Sequence, residues 1–251
     1  MPKALITGAS TGIGLELARI FAREGYELAL VARHQKRLED LAAELKPASV
    51  QVIAKDLSLP DAPEEIQRAV PRVDVLVNNA GFGLYGKFAA TSLAEELNMM
   101  QLNMSALVIL TKLYLAGMLA ARSGRILNVA STAAFQPGPL MSIYYATKAF
   151  VLSFSEAIGN ELQGSGVMVT ALCPGPTATE FQERAQLRDI ALLKMNVMDA
   201  RTVAEAGYRG MLAGKAIVIP GLQNKLLAQS LRFSPRSMVT KVVRRMQEQA
   251  H

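Results

Sequence analysis

The stretch Lys3-Ala4-Leu5-Ile6-Thr7-Gly8-Ala9-Ser10-Thr11-Gly12-Ile13-Gly14 decides the fold. A short apolar run, Lys3–Thr7, passes into three glycines, and apolar spacings of three and four begin at once over Gly14–Glu24. Such a run reads as a strand buried on both faces, and the spacing after it reads as an amphipathic helix. The same order then repeats. Glu27–Arg33, Val50–Asp56, Val73–Asn79, Arg125–Ser131, Val167–Cys173 and Ala216–Pro220 read as further strands. Gln35–Leu45, Ala62–Val70, Leu93–Ala121, Tyr144–Gln163 and Arg201–Ala213 read as the helices between them. The alternation predicts an α/β chain, a doubly wound, mostly parallel seven-stranded sheet with helices on both faces. With no linker-like shift in composition and no internal repeat, residues 1–251 are expected to form one domain. Phe181–Met198 interrupts the alternation and is the candidate substrate lid.

Composition narrows the chemistry. Of 251 residues, 51% are apolar and 19% charged, which excludes a disordered chain. Cys173 is the only cysteine, and His34 and His251 are the only histidines. A disulfide scaffold is excluded, and little is left for a zinc site or a histidine-activated nucleophile, so no metal is expected. Met1-Pro2-Lys3 leads straight into the first strand, so no signal peptide is read. Leu102–Ala121 imitates a membrane span, but Asn103, Ser105, Thr111 and Lys112 interrupt it. A lysine inside a bilayer costs roughly 2.5–3.5 kcal/mol. A buried or subunit-facing helix is the better reading, and a soluble cytoplasmic protein is the expectation.

The glycines of the first turn let the backbone bend tightly and approach a pyrophosphate, with N–H groups and the helix dipole supplying positive charge. Gly8, Ser10, Thr11, Gly12, Ile13 and Gly14 are therefore candidate cofactor contacts. The spacing is G-x-x-x-G-x-G rather than the G-x-G-x-x-G of the usual dinucleotide fingerprint, and glycines serving only turn geometry are the plainer alternative. The end of the second strand discriminates between cofactors. An Asp or Glu there accepts bonds from adenosine ribose hydroxyls, whereas Arg33 can grip a 2′-phosphate. NADP(H) is favoured over NAD(H), although Lys36 and Arg37 also read as the solvated start of a helix. Asp56 and Leu57 stand where an adenine edge could be read.

Tyr144 and Lys148 lie four apart on one helical run and share a face. A lysine ammonium beside a phenol favours the phenolate, and such a pair can carry protons at neutral pH. Alone, a Y-x-x-x-K pair arises often by chance. Here it comes after Gly8-x-x-x-Gly12-x-Gly14, then Asn78-Asn79-Ala80-Gly81, then Ser131 thirteen residues before Tyr144. Together these motifs resemble the short-chain dehydrogenase/reductase family over essentially residues 3–220. The resemblance implies a Rossmann sheet and hydride transfer between nicotinamide and a carbonyl or carbinol carbon. It implies Tyr144 as general acid or base and Ser131 as hydrogen-bond partner of the substrate oxygen. Lys148 would bind the nicotinamide ribose and depress the Tyr144 pKa, and Asn103 would hold a water for proton relay. Pro174, Gly175, Thr177 and Thr179 match the segment that closes on the nicotinamide carboxamide. Asn78 matches a structural and cofactor-side role, and Ala80 and Gly81 would let the nicotinamide half of the cofactor approach the backbone closely. Ala130 stands where many relatives carry a second serine.

The resemblance also implies a homodimer or homotetramer through Leu93–Ala121 and Tyr144–Gln163, and a small carbonyl or alcohol substrate. The expected activity is NADPH-dependent carbonyl reduction, reversible as alcohol oxidation, with an NAD-dependent alcohol dehydrogenase of the same family as the nearer alternative. A non-catalytic dinucleotide sensor is the alternative from another class. Gly83, Leu84, Tyr85 and the candidate lid would line an apolar substrate pocket.

Beyond Pro220 the family core says little. Residues 1–214 carry 20 basic and 20 acidic side chains, so the net charge of +6 falls entirely on residues 215–251. Ser234-Pro235 reads as a helix start with serine as cap, and Met238, Val239, Val242, Val243 and Met246 form an apolar stripe after it. Leu222, Leu226, Leu227 and Leu231 make a second set, so 221–251 reads as a basic amphipathic extension of two short helices. Three readings stay open: packing onto the domain or a sister subunit, peripheral contact with an anionic membrane, and steering of an anionic substrate. Nucleic acid is not an expected partner, because Phe233 is the only aromatic residue after Tyr208.

Overall fold

The computed structural model describes residues 1–185 and 197–248. Seven parallel strands form one sheet: β1 (Lys3–Thr7), β2 (Glu27–Ala32), β3 (Val50–Ala54), β4 (Val75–Asn78), β5 (Gly124–Val129), β6 (Val167–Leu172) and β9 (Ile217–Val218). Their order is β3-β2-β1-β4-β5-β6-β9. All the carboxyl ends therefore lie along one edge, and the order reverses between β1 and β4, where a crevice for a ligand opens. A pair of two-residue strands, β7 (Thr177–Ala178) and β8 (Met198–Asp199), was not legible in the sequence. The candidate lid lies between them, and its residues 186–196 fall outside the described ones.

Alternation within the strands builds two cores. Ala4 and Ile6 of β1, with Leu28 and Leu30 of β2, join Leu17 and Phe21 of α1 (Gly12–Arg23). That face is closed by Val203, Tyr208 and Met211 of α8 (Ala200–Leu212), and Phe21 meets Tyr208 edge-on at 5.1 Å. Leu5, Ala29 and Leu76 point the other way, onto Ile66 of α3 (Ala62–Ala69) and Leu110, Tyr114 and Met118 of α5 (Ala106–Ala120). Each fully buried large aliphatic or aromatic side chain contributes roughly 1.5–3 kcal/mol. The remaining helices before the tail are α2 (Gln35–Glu44), α4 (Leu93–Met100), α6 (Ser142–Glu161) and the short α7 (Phe181–Arg184).

The helix expected over Leu93–Ala121 is not uniform. Between α4 and α5 the turn Gln101–Ser105 widens to a π-helix, with the Ala106 N–H bonded to the Gln101 carbonyl. A side chain held from outside can pull a helix into such a bulge, and the buried Asn103 sits at its centre. Leu93–Ala120 is long and apolar enough to cross a membrane, yet Ala106, Leu110, Tyr114 and Met118 belong to the sheet's core.

The basic extension folds back onto the domain as α9 (Leu222–Ser230), a 3-10 turn (Leu231–Phe233) and α10 (Arg236–Gln247). The expected serine cap is not made: the Ser234 hydroxyl donates to the Ser230 carbonyl (3.0 Å), and Pro235 occupies the cap position. Val239 and Val243 pack with Phe82, Met141, Tyr144 and Tyr145. Gln247 is buried, its amide donating to the Tyr145 hydroxyl while its backbone carbonyl accepts from Tyr85 (2.7 Å). Packing on the domain is thus correct for one face of the stripe, whereas Met238 and Val242 remain exposed.

At the crevice, Thr7 ties the two central strands together. Its hydroxyl accepts the N–H groups of Asn79 (2.9 Å) and Ala80 (3.0 Å), and Asn79 returns its amide to the Thr7 carbonyl (2.9 Å). A Cβ on Gly14 would collide with the Gly8 carbonyl oxygen and the Asn79 amide. Gly14→Ala is expected to cost about 2–3 kcal/mol and lower Tm by roughly 5–10 °C. Thermal unfolding followed by circular dichroism checks this.

Candidate active site

A cleft of about 1020 Å³ runs along the carboxyl edge of the sheet. Its floor at one end is the first turn. Gly8 and Gly12 adopt φ of +65° and +56°, the left-handed region open to glycine, so the turn can bring its N–H groups against a ligand at the α1 N-terminus. Gly8, Ser10, Thr11, Gly12 and Ile13 line the cleft. Gly14 does not; it is buried against the turn, where it lets α1 pack close to Gly8 and Asn79.

Arg33, Asp56 and Leu57 lie further along the same edge. Arg33 is exposed and, among the described residues, makes no ion pair, whereas Arg37 is engaged by Glu180 (2.8 Å) and Lys36 by Asp40 (2.6 Å). Asp56 accepts from both the backbone N–H and the hydroxyl of Ser58 at 3.0 and 2.8 Å. Pro174, Gly175, Thr177 and Thr179 form the opposite rim, and the Thr179 methyl stands 2.9 Å from where a Gly12 Cβ would be. The turn and this rim close on each other across the cleft.

Ala80 and Gly81 line the cleft, but Asn78 does not. Its side chain turns beneath the sheet edge, donating to Thr111 (3.1 Å) and Asn128 (2.9 Å), and Asn128 in turn donates to Ser155 (2.9 Å). Of the structural and cofactor-side role expected of Asn78, these bonds are the structural part, joining β4, β5, α5 and α6, and its side chain does not reach the cleft. Asn79, the next residue, is the one at the cleft.

Ser131, Tyr144 and Lys148 converge in the middle of the cleft. Ser131 comes just after β5 and caps the turn Thr132–Phe135 by accepting the Ala133 N–H (3.1 Å), and its hydroxyl hydrogen-bonds the Tyr144 phenol. Tyr144 and Lys148 share the buried face of α6, with Nζ 5.9 Å from the phenol ring centroid. Lys148 Nζ donates to the Val129 carbonyl (2.8 Å). Burial pushes the Tyr144 phenol above the ordinary tyrosine range, and the Ser131 hydrogen bond draws it partly back. Burial also pushes the Lys148 ammonium down to about 8. Burial is the largest cause of both shifts, because it opposes charge on the phenolate and on the ammonium alike.

Asn103 is brought beside this set but does not line the cleft. Its amide makes three hydrogen bonds: Oδ1 accepts the Phe82 N–H (3.1 Å), and Nδ2 donates to the Phe82 carbonyl (3.0 Å) and the Thr147 hydroxyl (3.1 Å). Both donors of this amide are used, while Oδ1, with one N–H accepted, keeps a second lone pair. Gly81 permits the arrangement, since a Cβ there would stand 2.9 Å from Asn103 Oδ1 and 3.7 Å from Lys148 Nζ.

The far end of the cleft is walled by Met141, Tyr145, Phe181 and, from the tail, Leu231, Met238, Val239 and Val242. Gly83 instead packs under Phe181 and Met141, while Leu84 and Tyr85 lie in the cluster that seats α10. The tail as a wall, with Tyr145 and Gln247 as its fastening, was not foreseen from the sequence. The spacing Val239, Val243, Gln247, a residue every four, is the signal that could have shown them on one face.

A sequence model of the short chain dehydrogenase family matches residues 2–189. The chain belongs to the short-chain dehydrogenase/reductase family. Members of that family are nicotinamide-dependent oxidoreductases, and this one is an NAD(P)-dependent dehydrogenase/reductase. A short-chain dehydrogenase from Sphingobium yanoikuyae, solved with NADPH, matches with a TM-score of 0.83 and 33% identity over 94% of this chain and 97% of that one. A bulky-bulky ketone specific alcohol dehydrogenase from Comamonas testosteroni matches with a TM-score of 0.79 and 32% identity, over 94% and 95%. A ketoacyl reductase of Nostoc sp. is 36% identical over 177 residues, which are 68% of this chain and 62% of that protein. The chain thus matches less than two thirds of that relative's length. The dehydrogenase/reductase fold and a nicotinamide dinucleotide as cofactor suit the cleft: glycine turn, open rim and interior polar groups lie in one line.

Because the folded site holds the Lys148 proton less tightly than the unfolded chain does, Lys148 costs stability below about pH 8. The cost fades as pH rises from there toward the ordinary lysine value of 10.5. Lys148→Met is expected to stabilise the cofactor-free protein at pH 7 by about 1–3 kcal/mol, with the gain gone near the top of that window. Unfolding curves at the two pH values read it directly. A loss at pH 7 would mean that the bond to Val129 outweighs burial.

Proposed function

We propose that this protein reduces a bulky, apolar ketone or aldehyde to the alcohol, using NADPH in preference to NADH. The observation that carries the reading is the meeting of Ser131, Tyr144 and Lys148 in the cleft that the glycine turn opens. A nicotinamide dinucleotide, when bound, supplies the hydride or takes it back. Tyr144 hands its phenolic proton to the carbonyl oxygen, and burial keeps the phenol in the protonated form that an acid needs. Ser131 hydrogen-bonds the same oxygen as charge gathers on it. Lys148 holds the nicotinamide ribose and, as a cation, stabilises the phenolate left behind. The same groups run in reverse as an alcohol dehydrogenase when the cofactor ratio favours oxidation. A sensor without turnover needs no such phenol, and this set speaks against one.

The apolar far wall, with Met141, Phe181 and Val239, supports a bulky or chain-like substrate. So does the likeness to enzymes described as acting on bulky ketones and ketoacyl groups. Arg33, at the end of β2 and facing no acidic partner among the described residues, supports the 2′-phosphate. We further propose assembly as a homodimer or homotetramer through α5 and α6, where Phe150 stands exposed and stacks on Phe154 at 5.8 Å. A cytoplasmic location suits the one buried cysteine, Cys173, whose thiol burial pushes up to about 12.

Tyr144→Phe is expected to lower kcat for ketone reduction by roughly 10²–10⁴-fold while NADPH affinity stays within a few-fold. Unchanged turnover would remove Tyr144 from the chemistry. Arg33→Ala is expected to weaken NADPH binding about 10–100-fold and leave NADH binding as it was. Nicotinamide fluorescence titrations with both cofactors test it; equal effects on both would place Arg33 away from the 2′-phosphate.

A further inference from the structure

We propose that the face formed by α9, the turn after it and α10 is a docking surface for an anionic lipid bilayer, on which the substrate end of the cleft opens. Three observations meet there. First, large apolar side chains stand in water: Phe233 is 89% exposed, Leu222 73% and Leu226 61%. Second, the segment holds five cations that make no ion pair among the described residues, Lys225, Arg232, Arg236, Lys241 and Arg245; only Arg244 is matched, by Glu248 (2.8 Å). Third, Leu227, Met238 and Val242 are both exposed and part of the cleft lining, so the face and the cleft mouth are continuous.

Physical chemistry selects the occupant. A second copy meeting this face symmetrically would set the same unpaired cations opposite one another, and like charges across an interface cost several kcal/mol. A folded acidic partner would satisfy the charge, but it would need a pit shaped for the Phe233 ring, which projects from the turn. A bilayer supplies both requirements without preformed shape: anionic headgroups for the cations and a deformable acyl boundary for the apolar side chains. On α10 the exposed Met238 and Val242 lie beside Lys241 and Arg245, the apolar edge and cationic flank of an interfacial helix. The purpose of the surface rests on the reading of the cleft as a site for an apolar carbonyl. Such a compound partitions into lipid, and a cleft mouth seated on the bilayer takes it up without passage through water.

The test is sedimentation of the full-length protein with phosphatidylcholine vesicles, neutral or containing about one-third phosphatidylglycerol, at low and high salt. Wild-type protein is expected to pellet with the anionic vesicles alone and to be released by salt. Arg232→Gln combined with Arg236→Gln is expected to weaken partitioning about 25-fold, at roughly fivefold per cation, and Phe233→Ser about tenfold. None of these three side chains lines the cleft, so reduction of a water-soluble ketone is expected to stay at the wild-type rate. Equal binding to neutral vesicles, no binding to either, or variants that pellet as wild type would each overturn the proposal. So would wild-type protein that ignores vesicles but co-elutes with a small acidic carrier protein. Vesicle binding needs neither cofactor nor substrate, so a protein that pellets as expected but reduces no ketone would sink the proposed function and leave the surface standing.

Discussion

The clasp between Thr7 and Asn79 is the constraint on which the rest of this structure depends. One threonine hydroxyl accepts two successive backbone N–H groups from the far side of the crevice, and one amide returns to the strand the threonine ends. The reversal of strand order between β1 and β4 leaves their carboxyl ends with no crossover of their own to hold them together. Five hydrogen bonds through the Thr7 and Asn79 side chains fix that gap, since the Thr7 hydroxyl also donates to the Val77 carbonyl and the Asn79 amide to that of Gly8, each worth about 0.5–1.5 kcal/mol net. With the gap fixed, the glycine turn has its position relative to Ala80 and Gly81, and the two halves of a long ligand have one continuous floor.

Burial then sets the electrical character of the centre. Tyr144 and Lys148 are taken out of water on one face of α6, and both are driven toward their neutral forms. The protein offsets that cost locally, with the Val129 carbonyl for the lysine and the Ser131 hydroxyl for the phenol. Asn103 completes the support by holding Phe82 and Thr147 at once, which fixes α6 against the β4 loop. The π turn is the local distortion that brings this amide to both.

Much of this was legible in the sequence, for identifiable reasons. Buried parallel strands are written as unbroken apolar runs, and the glycine turn and the Tyr144/Lys148 spacing are local geometry, so β1, the turn after it and the shared face of Tyr144 and Lys148 could be read directly. What escaped depends on distant partners. Asn78 and Asn79 are neighbours of one type, and only the strand's end decides which enters the cleft and which turns under it. The π turn has no propensity signature, because Asn103 is held by residues 21 and 44 positions away. The tail's apolar stripe announced a helix but not its seat, and Gln247 gave no sign that it would reach Tyr145 across 102 residues of chain. The short β7–β8 pair rests on two residues per strand, too few for any pattern.

The tail's role as a wall has a consequence for biogenesis. Every candidate cofactor residue lies at or before Thr179, whereas much of the apolar end of the cleft is supplied after Leu222. Chains fold from the N-terminus as they are made. The nucleotide cradle can therefore form on a nascent chain that has as yet nowhere to put a substrate. Helix α10 leaves the ribosome after every strand of the sheet, so this part of the cleft wall is added to a sheet whose strands have all been made.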